Sequence, residues 1–233
     1  MSGHSKWATT KRQKAVVDAK RSANFTKLAN LITVAARDGG DPDKNFRLRV
    51  AVDKARANSM PKENIERAIK RGTGEIEGQH FEQMIYEGFG PDKVAVIMEI
   101  ITDNKNRTAS DVKHLFTKAG GALSGPNSVM WMFDQKGVIN IKDVLNDDQQ
   151  LELIDVGADE FEIQSDESTV ICPPDNFENV KNKLEQLGCK INEASIEFLA
   201  KETVTVKDQD QWNKFIDNLE DNDDISNYYT NAE

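Results

Sequence analysis

Apolar residues recur at helical spacing through the first third of the chain and at strand spacing after it. In DAKRSANFTKLANLITVAARDGG, Phe25, Leu28, Ile32 and Ala35 share one helix face. Asp18 lies near its start, and Gly39 and Gly40 end it. NFRLRVAVDKARANSM repeats the pattern with Leu48, Val52 and Ala55. In SMPKENIERAIKRGTG, Pro61 suits a first turn, Ile65, Ala68 and Ile69 form the apolar face, and Gly72 is the stop. Three short amphipathic helices joined by tight turns predict a small helical bundle.

After Gly78 the period shortens. FEQMIYEGFG and VAVIMEIIT read as strands around a Gly-Pro turn. RTASDVKHLFTKAGG is a helix carrying Val112, Leu115 and Phe116, and NSVMWMF reads as a third strand. The small-residue loop before it, GGALSGP, reads as a plain hairpin. From about Gly137 the order is strand GVINI, helix DDQQLELIDVG, strands DEFEIQ and TVICP, helix DNFENVKNKLEQLG and strand INEASIEFLA. That βαββαβ order is a ferredoxin-like plait. The tail, DQDQWNKFIDNLEDNDDISNYYTN, supplies a helix and a strand that return to the first sheet. The expected fold class is α+β: an N-terminal three-helix bundle, then two α/β domains, at least one ferredoxin-like and one inserted in the other. The expected boundaries are 1–77 for the helical domain, 78–134 plus 204–233 for the first α/β domain, and 135–203 for the insertion.

Composition narrows the class. Hydrophobic residues make up 38% and charged residues 30%, as in an ordinary soluble domain. No apolar run approaches the ~18 residues that span a bilayer, so no membrane partner is expected. The basic start has no apolar stretch behind it, unlike a secretory signal, and GHSKW matches a transit peptide poorly. Cys172 and Cys189 make neither a disulfide framework nor a CxxC pair, which fits a reducing cytoplasm. The histidines His4, His80 and His114 show no metal-ligand spacing. GTGEIEG follows a helix, whereas a dinucleotide fingerprint follows a strand. No nucleophile elbow is present. The expectation is no enzyme, no metal, no cofactor and no small-molecule substrate.

Charge changes the picture. Residues 1–71 hold 17 Lys+Arg and 7 Asp+Glu, a net of +10, against −20 in residues 72–233. A polyanion would select the first part, and the second would keep clear of it. In the head, Lys6, Lys11, Arg12, Lys14, Lys20, Arg21 and Lys27 surround one aromatic, Trp7. Cations on flexible stems suit phosphates. Trp7 either stacks on a base or tucks the head against the bundle. The loop TDNKNRT is a second candidate: Asn104, Lys105, Asn106 and Arg107 precede a helix that Thr108 would cap, an arrangement for an anion or a plain capped turn. The partner these residues point to is nucleic acid: DNA, or ribosomal RNA and the ribosome.

Together the motifs GHSKW, FTKL, ITVAARDGGDP, NSMPKENIERAIKRGTGE, YEGFGP, TDNKNRT and SVMWMFDQKG resemble the YebC/PmpR-type proteins, in order, from Ser2 to about Gly137. The resemblance implies three domains and a cytoplasmic DNA-binding transcriptional regulator, with translational activators among the mitochondrial relatives and bacterial members linked to the ribosome. It implies no cofactor and no reaction. The head motif carries onto His4, Ser5, Lys6, Trp7, Lys11, Lys14, Asp18, Arg21 and Lys27, and the loop motif onto Asp103, Asn104, Asn106, Arg107 and Thr108. Thr10 stands where an aliphatic residue is usual, Phe46 where Pro is frequent and Lys105 where Arg is common.

Overall fold

The computed structural model describes residues 21–78 and 80–233, with side chains from Asn24 onward. Three helices come first: α1 (Arg21–Ala35), α2 (Phe46–Ala57) and α3 (Lys62–Gly72). Leu28, Ile32, Leu48, Val52, Ala55, Ile65 and Ala68 meet in one buried cluster, with Phe25 and Ile69 at its margin. These are the residues whose spacing predicts the helices. Asn45 locks the corner between α1 and α2. Its side-chain amide donates to Ala35 O at 2.8 Å and Gly39 O at 2.7 Å, and its Oδ1 accepts from Leu48 N. Phe46 opens α2, and the Arg49 guanidinium lies 5.5 Å from its ring centre.

α1 and α3 touch through small groups. A Cβ on Gly72 would sit 2.3 Å from Thr33 O and 2.6 Å from Ala36 Cβ, so only glycine lets the helices approach this closely. Thr33 Oγ1 donates to Ala68 O across the same contact.

The first sheet runs, edge to edge, through β3 (Ala122–Ser124), β1 (Glu82–Phe89), β2 (Ala95–Thr102) and β8 (Ile225–Thr230). β1 and β2 pair antiparallel from Glu82↔Thr102 to Phe89↔Ala95. β8 closes the far edge against β2, as the tail pattern predicts. Two helices cover one face: α4 (Lys105–Lys118) and α7 (Gln209–Glu220). Val94, Val96, Met98 and Ile100 pack there against Val112, Phe116, Trp212, Phe215 and Leu219. The Phe116 and Phe215 rings meet edge-on at 5.1 Å. On the helical side, Val34 packs with Phe81 and Ile101.

One predicted element differs. NSVMWMF is not a strand: Met130–Met132 is a short 3-10 turn, and the third strand of the sheet is β3 (Ala122–Ser124), in the small-residue loop, pairing with β1. The cause is Glu87 on β1, 4% exposed, whose carboxylate accepts from the main-chain N–H of Asn127 at 2.6 Å, Val129 at 2.8 Å and Met130 at 2.9 Å. Three amides drawn to one carboxylate cannot also serve a strand ladder. Asn127 takes a left-handed φ of 63°, and the turn leaves Trp131 68% exposed, its indole N–H donating to Ser128 O.

Everything above belongs to one compact unit, the described residues up to Phe133 with Ala200–Glu233; Asp134–Leu199 form a second, inserted unit. There the order is β4 (Phe133–Ile141), α5 (Asp147–Asp155), β5 (Glu160–Ile163), β6 (Ser168–Cys172), α6 (Phe177–Gln186) and β7 (Ile191–Ala200). The sheet order β5-β6-β4-β7 is the ferredoxin-like arrangement. Val138, Ile139, Leu153, Val170, Phe177 and Leu184 are buried within it, and Asn140 Oδ1 accepts from Thr169 Oγ1 at 2.8 Å. With the helices of the first unit, the whole is an α+β fold.

Candidate nucleic-acid interface

Lys6, Trp7, Lys11, Arg12, Lys14 and Lys20 lie outside the described residues, and Arg21 is described only as the first residue of α1. Lys27 is half-buried, and its Nζ donates to the main-chain oxygen of Glu220 at 2.8 Å. Glu220 ends α7, where the helix dipole favours a cation. Lys27 therefore joins α1 to α7 through one of its three donors.

The TDNKNRT loop is also engaged within the fold. Asn104, not Thr108, caps α4: its side chain accepts from Arg107 N at 3.1 Å. Thr108 lies a turn inside the helix, fully buried, with Oγ1 2.8 Å from Thr102 Oγ1 and 2.6 Å from Asp224 Oδ2. Arg107 pairs with Asp224 at 3.1 Å and Asp103 at 2.9 Å. Asp224 above all, then Asp103, raises the Arg107 pKa still further. Lys105 pairs with Glu82 and thereby lowers the Glu82 pKa. Each cation of this loop faces a carboxylate, so the loop fastens the strand end, α4 and the start of β8 together. Of the expected anion-site residues Asn104, Lys105, Asn106 and Arg107, Asn104 caps the helix and the two cations lie in ion pairs.

Unspent positive charge sits elsewhere, on α3. Arg67, Lys70 and Arg71 lie at i, i+3 and i+4, hence on one side of the helix. None of the three forms an ion pair among the described residues, whereas Lys44, Arg56 and Lys62 pair with Asp41, Asp53 and Glu66. Arg67 and Lys70 are exposed; Arg71 is half-buried, with its stem against Gly78. Between α1 and α3 runs a groove of about 250 Å³. α1 contributes Phe25, Thr26, Ala29 and Asn30; α3 contributes Asn64, Arg67, Ala68 and Arg71; Met60 lies between them. This face is not among the candidate residues that the head and the TDNKNRT loop supply. Its signal was the spacing in ERAIKR, masked by the apolar face of the same helix.

Cations of this kind bind phosphate, and the amides and hydroxyl beside them offer both donors and acceptors. Among the described residues no group of carboxylates, histidines and cysteines could hold a metal, and no helix is long and apolar enough to cross a membrane.

Comparison with known proteins places the chain. Residues 5–75 match the family described as the TACO1/YebC protein N-terminal domain, and residues 81–232 match the TACO1/YebC second and third domain. A "Probable transcriptional regulatory protein" of Thermoanaerobacter pseudethanolicus is 48% identical, covering 100% of this chain and 97% of that protein. One of the same name from Thermotoga petrophila is 50% identical, covering 100% and 94%. The crystal structure of a conserved hypothetical protein from Aquifex aeolicus is similar over 93% of this chain and 92% of that one, with a TM-score of 0.80 and 41% identity. On these full-length matches, together with the fold they share, the chain belongs to the TACO1/YebC family.

Proposed function

We propose that this chain is a non-catalytic, nucleic-acid-binding regulator of gene expression, acting in the cytoplasm on DNA in transcriptional control. The carrying observation is the Arg67, Lys70 and Arg71 face, unpaired among the described residues, in the half of the chain that holds the net +10. The names of the relatives support the transcriptional role. The contact surface is this face with the basic head: Lys6, Lys11, Arg12, Lys14, Lys20 and Arg21. Lys27, Lys105 and Arg107 are left out of it, because the fold uses their charge. Neither a major-groove recognition helix nor an RRM-type aromatic pair is legible in the sequence, so binding rests on backbone and shape.

The test is fluorescence anisotropy of the full chain on random-sequence duplex at rising salt. With six phosphate contacts the log–log slope is near −5, at ~0.9 per contact. Changing Lys6, Lys11 and Lys14 together to Ala weakens binding on every sequence and flattens the slope by about three contacts' worth. Random duplex competes within roughly tenfold of a candidate promoter, well below the ~10³–10⁷ of specific binders. Binding that ignores salt, or survives the triple change, overturns the proposal. Ribosomes that outcompete duplex at equal phosphate concentration move the partner from DNA to ribosomal RNA.

A further inference from the structure

We infer that the groove between α1 and α3 takes one unpaired nucleotide of a single strand, its base between the helices and its phosphate on Arg67 and Arg71. The inference rests on the nucleic-acid reading above and adds the form of the ligand.

Three observations carry it. The first is size: a groove of about 250 Å³ is many times the ~10–15 Å³ that a single water needs, so it has room for a flat ring and not only for one ion or water.

The second is Asn30. It lines the groove at 9% exposure, and its side chain bonds to no described residue. Other asparagines of this region are engaged: Asn24 donates to Asn58 Oδ1, Asn58 to Lys54 O, and Asn45 to two carbonyls. That amide is not one of the buried side-chain groups left without a partner, so it reaches the solvent of the groove, and its two donors and its acceptor are open to a ligand there. A base edge presents the complementary set. Asn64, across the groove, supplies a second amide.

The third is the composition of the walls. Phe25 offers an aromatic face, Ala29 and Ala68 keep the space open, and Arg67 and Arg71 stand free among the described residues. An apolar slot with amides inside and guanidinium groups at its margin suits a nucleotide, because the base needs apolar contact and edge bonds while the phosphate needs cations. A lone phosphate would leave the apolar walls and Asn30 unused. A duplex would first have to unstack and extrude a base, so an unpaired strand is the better ligand.

The test uses the full chain and two fluorescein-labelled probes: a single-stranded thymidine dodecamer and its abasic counterpart with the same phosphates. The wild type binds the base-bearing strand at least fivefold tighter. Asn64→Leu and Asn30→Leu, each checked for an unchanged melting temperature, shrink that preference below twofold. Arg71→Ala weakens both probes and lowers the salt slope by about one contact. A wild type without preference for bases, or a folded Asn64→Leu that keeps the full preference, overturns the groove assignment while leaving nucleic-acid binding intact. If the wild type binds neither probe nor duplex, the broader reading has failed, and this inference falls with it.

Discussion

Removing the Glu87 carboxylate tests what shapes the Asn127–Met132 turn. Its two oxygens accept three main-chain N–H groups at 2.6–2.9 Å, and the residue is 4% exposed. Glu87→Ala leaves those donors without a partner. Asn127 is exposed, so water replaces its bond at little cost. Val129 is fully buried and Met130 is half-buried. A hydrogen bond to a charged group contributes ~1.5–3 kcal/mol. Two such bonds lost give about 3–6 kcal/mol, a large part of the ~5–15 kcal/mol that holds a domain together. Glu87→Gln costs less, because one oxygen still accepts while its amide NH₂ faces an N–H. Urea unfolding followed by far-ultraviolet circular dichroism measures the loss, and Trp131 emission, taken as the difference from a Trp131→Phe chain because Trp7 and Trp212 also emit, reports the turn locally. A Glu87→Ala protein destabilised by under 1 kcal/mol, with Trp131 emission unchanged, would refute the argument that this carboxylate replaces a strand with a turn.

Gly72→Ala pushes a Cβ into Thr33 O, and ~1–3 kcal/mol of overpacking outweighs the ~1 kcal/mol gain in helix propensity, so the melting temperature falls. Lys27→Met keeps the stem but loses the bond to Glu220 O; it costs ~0.3–1 kcal/mol in urea unfolding and changes duplex affinity by less than twofold. Burial first, then the Asp159 charge, pushes the Cys172 thiol up to about 11 from 9.0, so the folded state holds that proton longer than the unfolded one. Stability from this group is complete below pH 9 and declines as pH rises through 11; Cys172→Ser shows a shallower alkaline decline in unfolding free energy. Tyr228, raised by burial and then by Glu220, adds to the wild-type decline in the same direction.

What the sequence made legible was local, and what it hid was not. The faces of α1, α2 and α3 follow from apolar spacing, because each helix buries one stripe. The βαββαβ order follows from alternating periods. NSVMWMF misleads because its apolar residues fit a strand, while the group that bends it lies 40 or more positions upstream, at Glu87. β3 was unreadable because three residues after two glycines carry too little pattern. The same distance effect governs the cations. Lys27 and Arg107 look available until Glu220 and Asp224 arrive, more than a hundred positions downstream. Arg67, Lys70 and Arg71 were readable at i, i+3 and i+4, but counting net charge could not separate them from cations that find carboxylates.

The place of β8 in the first sheet has a consequence for biosynthesis. β2 is the most deeply buried strand of that sheet, and β8 is translated roughly 120 residues after it. Until then one edge of β2 stays open, with unpaired amides and carbonyls that invite another chain. The intervening unit, Asp134–Leu199, is continuous and emerges whole in the meantime, so it can collapse first as the nascent chain lengthens. Before Ile225–Thr230 leave the ribosomal tunnel, the inserted unit can be finished while the sheet that needs β8 is not. Chaperone demand on this chain should peak in that window.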